Sequence, residues 1–244
     1  MNERQIDILK KLSQDAFLSV AKLAKIFDVS QVTIRSDLNF LEDQGLLKRK
    51  HGGVSVDDIS QRLLVNLRTK LDIAKFATSM VKDGDTIMVE SGSTNALFVR
   101  NLGEKKHATI ITNSYYIAKF ASDLPNLDFI LLGGNFQKTA EVAVGPLTES
   151  SLENFFVEKL FIGIDGIDEN NGFMGIDLHR SQIVAAMTKR AQKTIILTDS
   201  SKFTRKGITQ LLPFSAISEV ITDDKLPPEA EKLLTSQNIS IEKV

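Results

Sequence analysis

Three short amphipathic runs, separated by turns and closed by a basic hairpin, constrain residues 1–55 more tightly than any other feature of this chain. In residues 3–14, Ile6, Leu9 and Leu12 recur at spacings that put them on one helical face for core packing. Ser19 is placed to cap a second helix in which Val20, Leu23, Ala24 and Phe27 repeat the pattern, and Asp28 and Val29 supply a sharp turn. Ser30 caps a third helix, where Ile34, Leu38 and Leu41 stack inward at i, i+4 and i+7. That stacking turns Gln31, Val32, Arg35, Ser36 and Asn39 outward as candidate base readers, with Ser30 and Thr33 beside them at the helix start.

Gly45 ends the third helix as a left-handed cap would, and Leu46-Leu47-Lys48-Arg49-Lys50-His51-Gly52-Gly53 predicts a short strand and tight turn. Lys48, Arg49 and Lys50, extended by His51, suit contacts to phosphates, whereas Arg35 or Gln31 offers paired hydrogen bonds to base edges. This order of elements is that of a winged helix-turn-helix, and its partner is double-stranded DNA. Residues 1–55 hold nine Lys and Arg against seven Asp and Glu, a surplus of two, so the ordering of the elements carries the reading more than charge does.

Length and composition attach this small module to something larger. Of 244 residues, 164 lie beyond the wing and its connector, enough for one well-buried domain. The hydrophobic share of 42% and charged share of 25% are ordinary for a soluble globular chain. A net charge of −1 leaves residues 56–244 at −3, which confines basic function to the front. Cysteine is absent, excluding disulfides, thiolate zinc sites and thiol catalysis. No membrane span and no apolar leader are expected, and a cytoplasmic setting is. His51, His107 and His179 are scattered without partners at ligand spacing, and Asp168 to Gly172 lacks the glycine position and terminal acid of a calcium loop, so no metal or cofactor is expected.

The expected divisions are a DNA-binding domain at 1–55, a helical connector at 56–80 and an α/β domain at 81–244. In the last, six β-rich runs, TIMVE, TIITN, DFILLGG, KLFIGIDG, KTIILTD and EVITDD, alternate with helical ones, which predicts a largely parallel sheet. Ligands of such sheets gather beyond the carboxyl ends of the strands. Ser91, Gly92, Ser93 and Thr94 follow the first run and lead into a helix around 96–102, an arrangement suited to a phosphate. Later strands end at Asn113, at Gly133 and Gly134, at Asp165, and at Asp199 followed by Lys202. Small residues permit close approach, Asn113 and Asp165 suit sugar hydroxyls, and Lys202 suits a phosphate. A phosphorylated sugar is the ligand these ends fit.

FDVSQVTIRSDLNFLEDQGLLKRKHGG, VESGSTNAL, TNSYYIA, LLGG, FIGIDGID and LTDSSKF together resemble the DeoR family of bacterial transcriptional regulators over nearly the whole chain. The sensor domain of that family resembles ribose-5-phosphate isomerase and related sugar-phosphate enzymes. The resemblance implies that Ser91 to Thr94 and Lys202 hold phosphate while Asn113, Asp165 and Asp168 lie nearer the sugar. It also implies a repressor of a carbohydrate-use operon that is relieved by its effector. Three departures stand out. Arg35 is followed by Ser36 where the family usually has two adjacent arginines; Glu90 and Asn95 replace the usual Asp and Thr bordering the phosphate loop; and His179-Arg180 stands where many members have an acid. His179 and Arg180 then suit a more anionic effector, or else His179 caps its helix and Arg180 lies in solvent.

The fold expected is two domains, a small α+β winged helix-turn-helix followed by an α/β domain with a largely parallel sheet. The function expected is a sequence-specific regulator acting as a homodimer or homotetramer, because one recognition helix spans too few base pairs. The alternative is a sugar-phosphate isomerase or deaminase fused to a DNA reader. Asp165 or Asp168 would have to supply its base, and the acidic helix start of the isomerase is not found in GFMGIDLHRSQIVAAM.

Overall fold

A computed structural model of the chain describes all residues except 16, 44–45, 51–52 and 56–61, and gives the backbone alone for 13–14, 48–50 and 55. The chain divides into two compact units, Met1–Arg68 and Thr69–Val244.

In the first unit, α1 (Glu3–Gln14) starts from a capping box in which Asn2 accepts from the Gln5 N–H and Gln5 returns the bond to Asn2. Its inward stripe is Gln5, Ile8, Leu9 and Leu12, so the face expected from Ile6 is rotated and Ile6 itself is half-buried. After β1 (Leu18–Ser19), Ser19 caps α2 (Val20–Ile26) by accepting from Lys22 N at 3.1 Å. Asp28 takes the turn with a φ of 50°, in the left-handed region Asp tolerates. Helix α3 (Gln31–Asp43) buries Ile34, Asp37, Leu38 and Leu41. Strands β2 (Lys48–Lys50) and β3 (Gly53–Ser55) pair antiparallel, and β1 joins them to give the order β1-β3-β2. The expected cap at Gly45 lies outside the described residues, as does His51.

The expected connector is not one continuous helix. Residues 62–64 are helical, Asn66 turns with a φ of 53°, and a separate helix, Leu67–Ser79, follows. It buries Leu67, Lys70, Ile73, Ala74, Ala77 and Thr78, and all but its first two residues belong to the second unit. The division between the two compact units, after Arg68, thus falls inside the span expected as a connector. Residues 56–61 lie outside the described set.

The second unit is built on a seven-stranded parallel sheet ordered β15-β14-β12-β9-β4-β5-β6. These strands are β4 (Thr86–Val89), β5 (Ala108–Thr112), β6 (Leu127–Leu131), β9 (Val157–Ile162), β12 (Ala191–Leu197), β14 (Glu219–Thr222) and β15 (Ser240–Lys243). The central strands are buried in unbroken runs, such as Ile87-Met88-Val89 and Leu160-Phe161-Ile162, because crossover helices cover both faces. Six strands coincide with the six apolar runs. The seventh, β15, is a partly exposed edge reading SIEK and carries no apolar run to find. Also unforeseen are a hairpin, β7 (Asn135–Gln137) with β8 (Val142–Val144), and a small antiparallel sheet of β10 (Gly166–Asp168), β11 (Gly172–Gly175) and β13 (Thr209–Leu212). The chain winds from β4 outward through β5 and β6, then returns to the other side of β4 with β9. The switch point therefore lies between β4 and β9, the place in an open α/β sheet where ligands gather beyond the strand ends.

Candidate functional site

On α3, the five candidate base readers Gln31, Val32, Arg35, Ser36 and Asn39 are all exposed, the face required by burial of Ile34, Leu38 and Leu41. Val32 is 72% exposed, a large apolar group on a polar face suited to a thymine methyl. Ser30 and Thr33 have a local use: Ser30 Oγ accepts from Thr33 N at 3.1 Å and pairs with Thr33 Oγ1 at 2.9 Å, which caps the helix. Asp37 is the feature that sequence reasoning missed. It lies inward between α3 and α1, where its carboxylate accepts from Arg4 Nε at 2.6 Å and Gln5 Nε2 at 3.1 Å. Its spacing from Ile34 and Leu41 placed it on the buried stripe all along. For the wing, the backbone hairpin is formed, while the side chains of Lys48, Arg49 and Lys50 lie outside the described set.

In the second unit, the end of β4 meets the end of β9. Glu90 is buried, and its carboxylate accepts from Ser91 Oγ at 2.6 Å, from Gly163 N at 3.3 Å and from Arg180 Nη2 at 3.3 Å. Burial pushes the Glu90 carboxyl above its usual range, against the opposing pull of Arg180, Ser91 and the Gly163 N–H. Arg180 Nη2 also reaches Ser91 Oγ at 3.2 Å. Desolvation of that guanidinium is more than offset by the fields of Glu90, Asp165 and Asp177, so it stays charged.

The phosphate-loop residues Ser91, Gly92, Ser93 and Thr94 stand at the start of helix Ser93–Gly103. Gly92, with a φ of 151°, is its N-cap and supplies no side-chain cap, which leaves the first N–H groups available to an anion. Asn95 is buried behind this loop, where Nδ2 donates to the Glu90 carbonyl at 2.8 Å and reaches that of Phe161 at 3.5 Å. It is a staple across the switch point, and its Oδ1 has no partner. Asp165 follows β9 half-buried, with one carboxylate oxygen 3.9 Å from Lys202 Nζ. Lys202 closes the 3-10 turn Ser200–Lys202 after β12. Glu90, Ser91 and Arg180 are thus linked in one network, and Asp165 forms an ion pair with Lys202 while its charge acts on Arg180.

The remaining expected residues have other company. Asn113, 2% exposed, donates through Nδ2 to the Ala143 carbonyl at 2.8 Å and ties β5 to the β7–β8 hairpin; its Oδ1 is without a partner. Gly133 is open, whereas Gly134, at a φ of 152°, has Thr148 so close that a Cβ would lie 2.1 Å from its Oγ1. Gly134 is therefore required by packing. Asp168, expected near the sugar, closes the turn between β10 and β11, accepting from Asn170 N at 3.1 Å, Asn171 N at 2.9 Å and Asn171 Nδ2 at 2.8 Å. Those bonds hold its carboxyl below the usual range. His179 is exposed and is not the cap of its helix. Asp177 is, accepting from Arg180 N at 2.8 Å at the start of Leu178–Thr188, so an acid does stand at this helix start. Arg180 is 19% exposed and paired, not in solvent. A buried-strand acid, Glu90, and a helix-entry acid, Asp177, were the available signals for this network.

Two family matches cover the chain in this order: a DeoR-like helix-turn-helix domain at residues 4–60 and the DeoR C-terminal sensor domain at residues 65–224. The chain belongs to the DeoR family. It is a DNA-binding transcriptional regulator with a sensor domain. Among similar proteins, the uncharacterized HTH-type transcriptional regulator YulB of Bacillus subtilis is 32% identical, over 98% of this chain and 95% of that protein. A putative aga operon transcriptional repressor of Escherichia coli O157:H7 is 28% identical over 98% and 93%. The glycerol-3-phosphate regulon repressor of Escherichia coli K12 is 26% identical over 98% of both. Ribose 5-phosphate isomerase A of Methanocaldococcus jannaschii aligns at 24% identity over 58% of this chain and 56% of that one, with a TM-score of 0.43, too loose a likeness to bear on activity. No described helix is long and apolar enough to cross a membrane. Among the described residues no group of three or more His, Asp or Glu is placed to hold a metal ion.

Proposed function

We propose that this DeoR-family regulator represses a carbohydrate-use operon and is relieved by a phosphorylated sugar or sugar derivative bound at the β4–β9 switch point. The observation that carries the reading is the loop Ser91–Thr94, an uncapped helix start joined through Ser91 to a buried cation, with Asp165 and Lys202 at the neighbouring strand ends. The helix-start N–H groups suit a phosphate, and Asp165 suits sugar hydroxyls. Two relatives named for the aga operon and the glycerol-3-phosphate regulon support the carbohydrate assignment. Operator recognition falls to Gln31, Val32, Arg35, Ser36 and Asn39, with the wing cations on phosphates. Two copies reading a repeated operator, as a homodimer or homotetramer in the cytoplasm, supply the specificity one helix lacks. Effector and operator oppose each other through a coupling of about 1–3 kcal/mol.

Turnover is not part of the proposal. Of the two carboxylates named as a base, Asp168 is committed to a turn and Asp165 faces the Lys202 ammonium at 3.9 Å. The test is thermal unfolding against a panel of sugar and sugar-alcohol phosphates, each beside its unphosphorylated parent. A ligand at 100 times its Kd stabilises by about 2.7 kcal/mol, so a phosphate-dependent rise in Tm identifies the effector class. Indifference to the whole panel counts against a phosphate site.

A further inference from the structure

Arg180, one of the two cations expected from the sequence to suit a more anionic effector, stands one hydrogen bond from the first hydroxyl of the phosphate loop. A guanidinium carries five N–H donors in a planar fork that matches a phosphate two bonds at a time. Here the recorded bonds, to Glu90 Oε1 at 3.3 Å and Ser91 Oγ at 3.2 Å, both run through Nη2 and both are long. Nε is buried and has no acceptor. The fork is held in place but not saturated.

We propose that Arg180 is the specificity-determining cation of the effector site: Glu90 holds its guanidinium in the effector-free state, and the effector's phosphate takes it over on binding. The inference rests on the sugar-phosphate reading above and adds to it the residue that makes the phosphate obligatory. Glu90 is suited to the part of placeholder. It keeps Ser91 Oγ and the Gly163 N–H as partners once the guanidinium turns away. Its burial makes it a poor counter-ion, so a phosphate dianion displaces it where a neutral sugar hydroxyl does not. Arg180 is oriented for the exchange by its own helix, whose entry is fixed by the bond from its N–H to Asp177 at 2.8 Å. Glu90, one methylene longer than the acid usual in the family, thereby meets Arg180 in one ion pair.

The two ends of that pair give opposite signs. Calorimetric titration of the full-length chain with inorganic phosphate at constant ionic strength is the measurement, on wild type, Arg180→Gln, Arg180→Lys and Glu90→Gln. Loss of the fork in Arg180→Gln weakens phosphate binding about tenfold or more, and Arg180→Lys, a point charge without the fork, falls between. Glu90→Gln, which replaces the competing carboxylate by a neutral amide, tightens it by about threefold or more. A merely structural pair would instead weaken phosphate binding to the same degree from either end, and that result overturns the proposal. So does phosphate binding in Arg180→Gln equal to that of wild type, which leaves the phosphate reading standing. A wild-type chain indifferent to inorganic phosphate and to the phosphorylated panel removes both together. Circular dichroism of each variant establishes that it is folded, and Arg180→Lys carries the test if Arg180→Gln is not.

Discussion

The carboxylate of Asp37 accepts from Arg4 Nε at 2.6 Å, so an acid on α3 is drawn inward and off the helix's exposed face. With 6% of its side chain exposed, Asp37 also accepts from Gln5 Nε2, and α1 thereby fixes the rotation of α3 about its own axis. Replacing it by Ala leaves the Gln5 amide unpaired and is expected to cost about 1–3 kcal/mol of stability. Thermal denaturation and operator affinity are expected to fall together in Asp37→Ala. An unchanged melting temperature would mean that the bond does not fix the helix.

Arg35, on the outer face of the same helix, makes a different kind of prediction. If it reads a base edge, Arg35→Ala costs about 1–3 kcal/mol on the preferred operator and flattens the discrimination between operator and mismatched duplex. Anisotropy titrations on matched and single-substitution duplexes measure this. A uniform loss across all sequences, with a shallower dependence on salt, would move Arg35 to the phosphates.

Asp177 offers a pH-dependent test of the helix that presents Arg180. Burial alone would raise its carboxyl, but the Arg180 N–H, the Gln137 amide and the charges of Arg180 and His179 hold it below its ordinary 3.8. A depressed carboxyl contributes stability that is complete above the unfolded value and is lost as the pH falls through the folded one. Asp177→Ala is therefore expected to lower stability by about 1 kcal/mol at neutral pH, the worth of an N-cap. The gap from wild type closes as the pH drops below 3.8, and acid-range melting curves of the two proteins measure it. A gap that is constant with pH would assign the loss to packing.

The periodicity of residues 1–43 determined three helices, their caps at Ser19 and Ser30, and the outward face of α3, because burial in a small helical unit follows the 3.6-residue repeat directly. Likewise, six apolar runs determined six parallel strands: the five inner ones are apolar because both faces are covered, and the sixth, Leu127–Leu131, is an edge that keeps an apolar run although Ile130 and Leu131 are exposed. The opposite edge strand, Ser240–Lys243, escaped because its half-solvated sequence, SIEK, holds one apolar residue and leaves no run to read.

What the sequence left open at the site is what depends on contacts between distant segments. Nothing local joins Glu90 to Arg180, ninety residues apart, or Asn113 to Ala143, thirty apart. Asp168 reads as one more polar strand end until the turn to Gly172 consumes its carboxylate. The sequence determined which residues stand at the ends of strands. Only the order of the strands decided which ends meet, because the reversal between β4 and β9 brings Glu90 to Gly163 and, through a helix entering from Asp177, to Arg180. A strand end becomes part of a site when the winding of the sheet gives it a neighbour, and that winding is a property of tertiary packing rather than of any local run of residues.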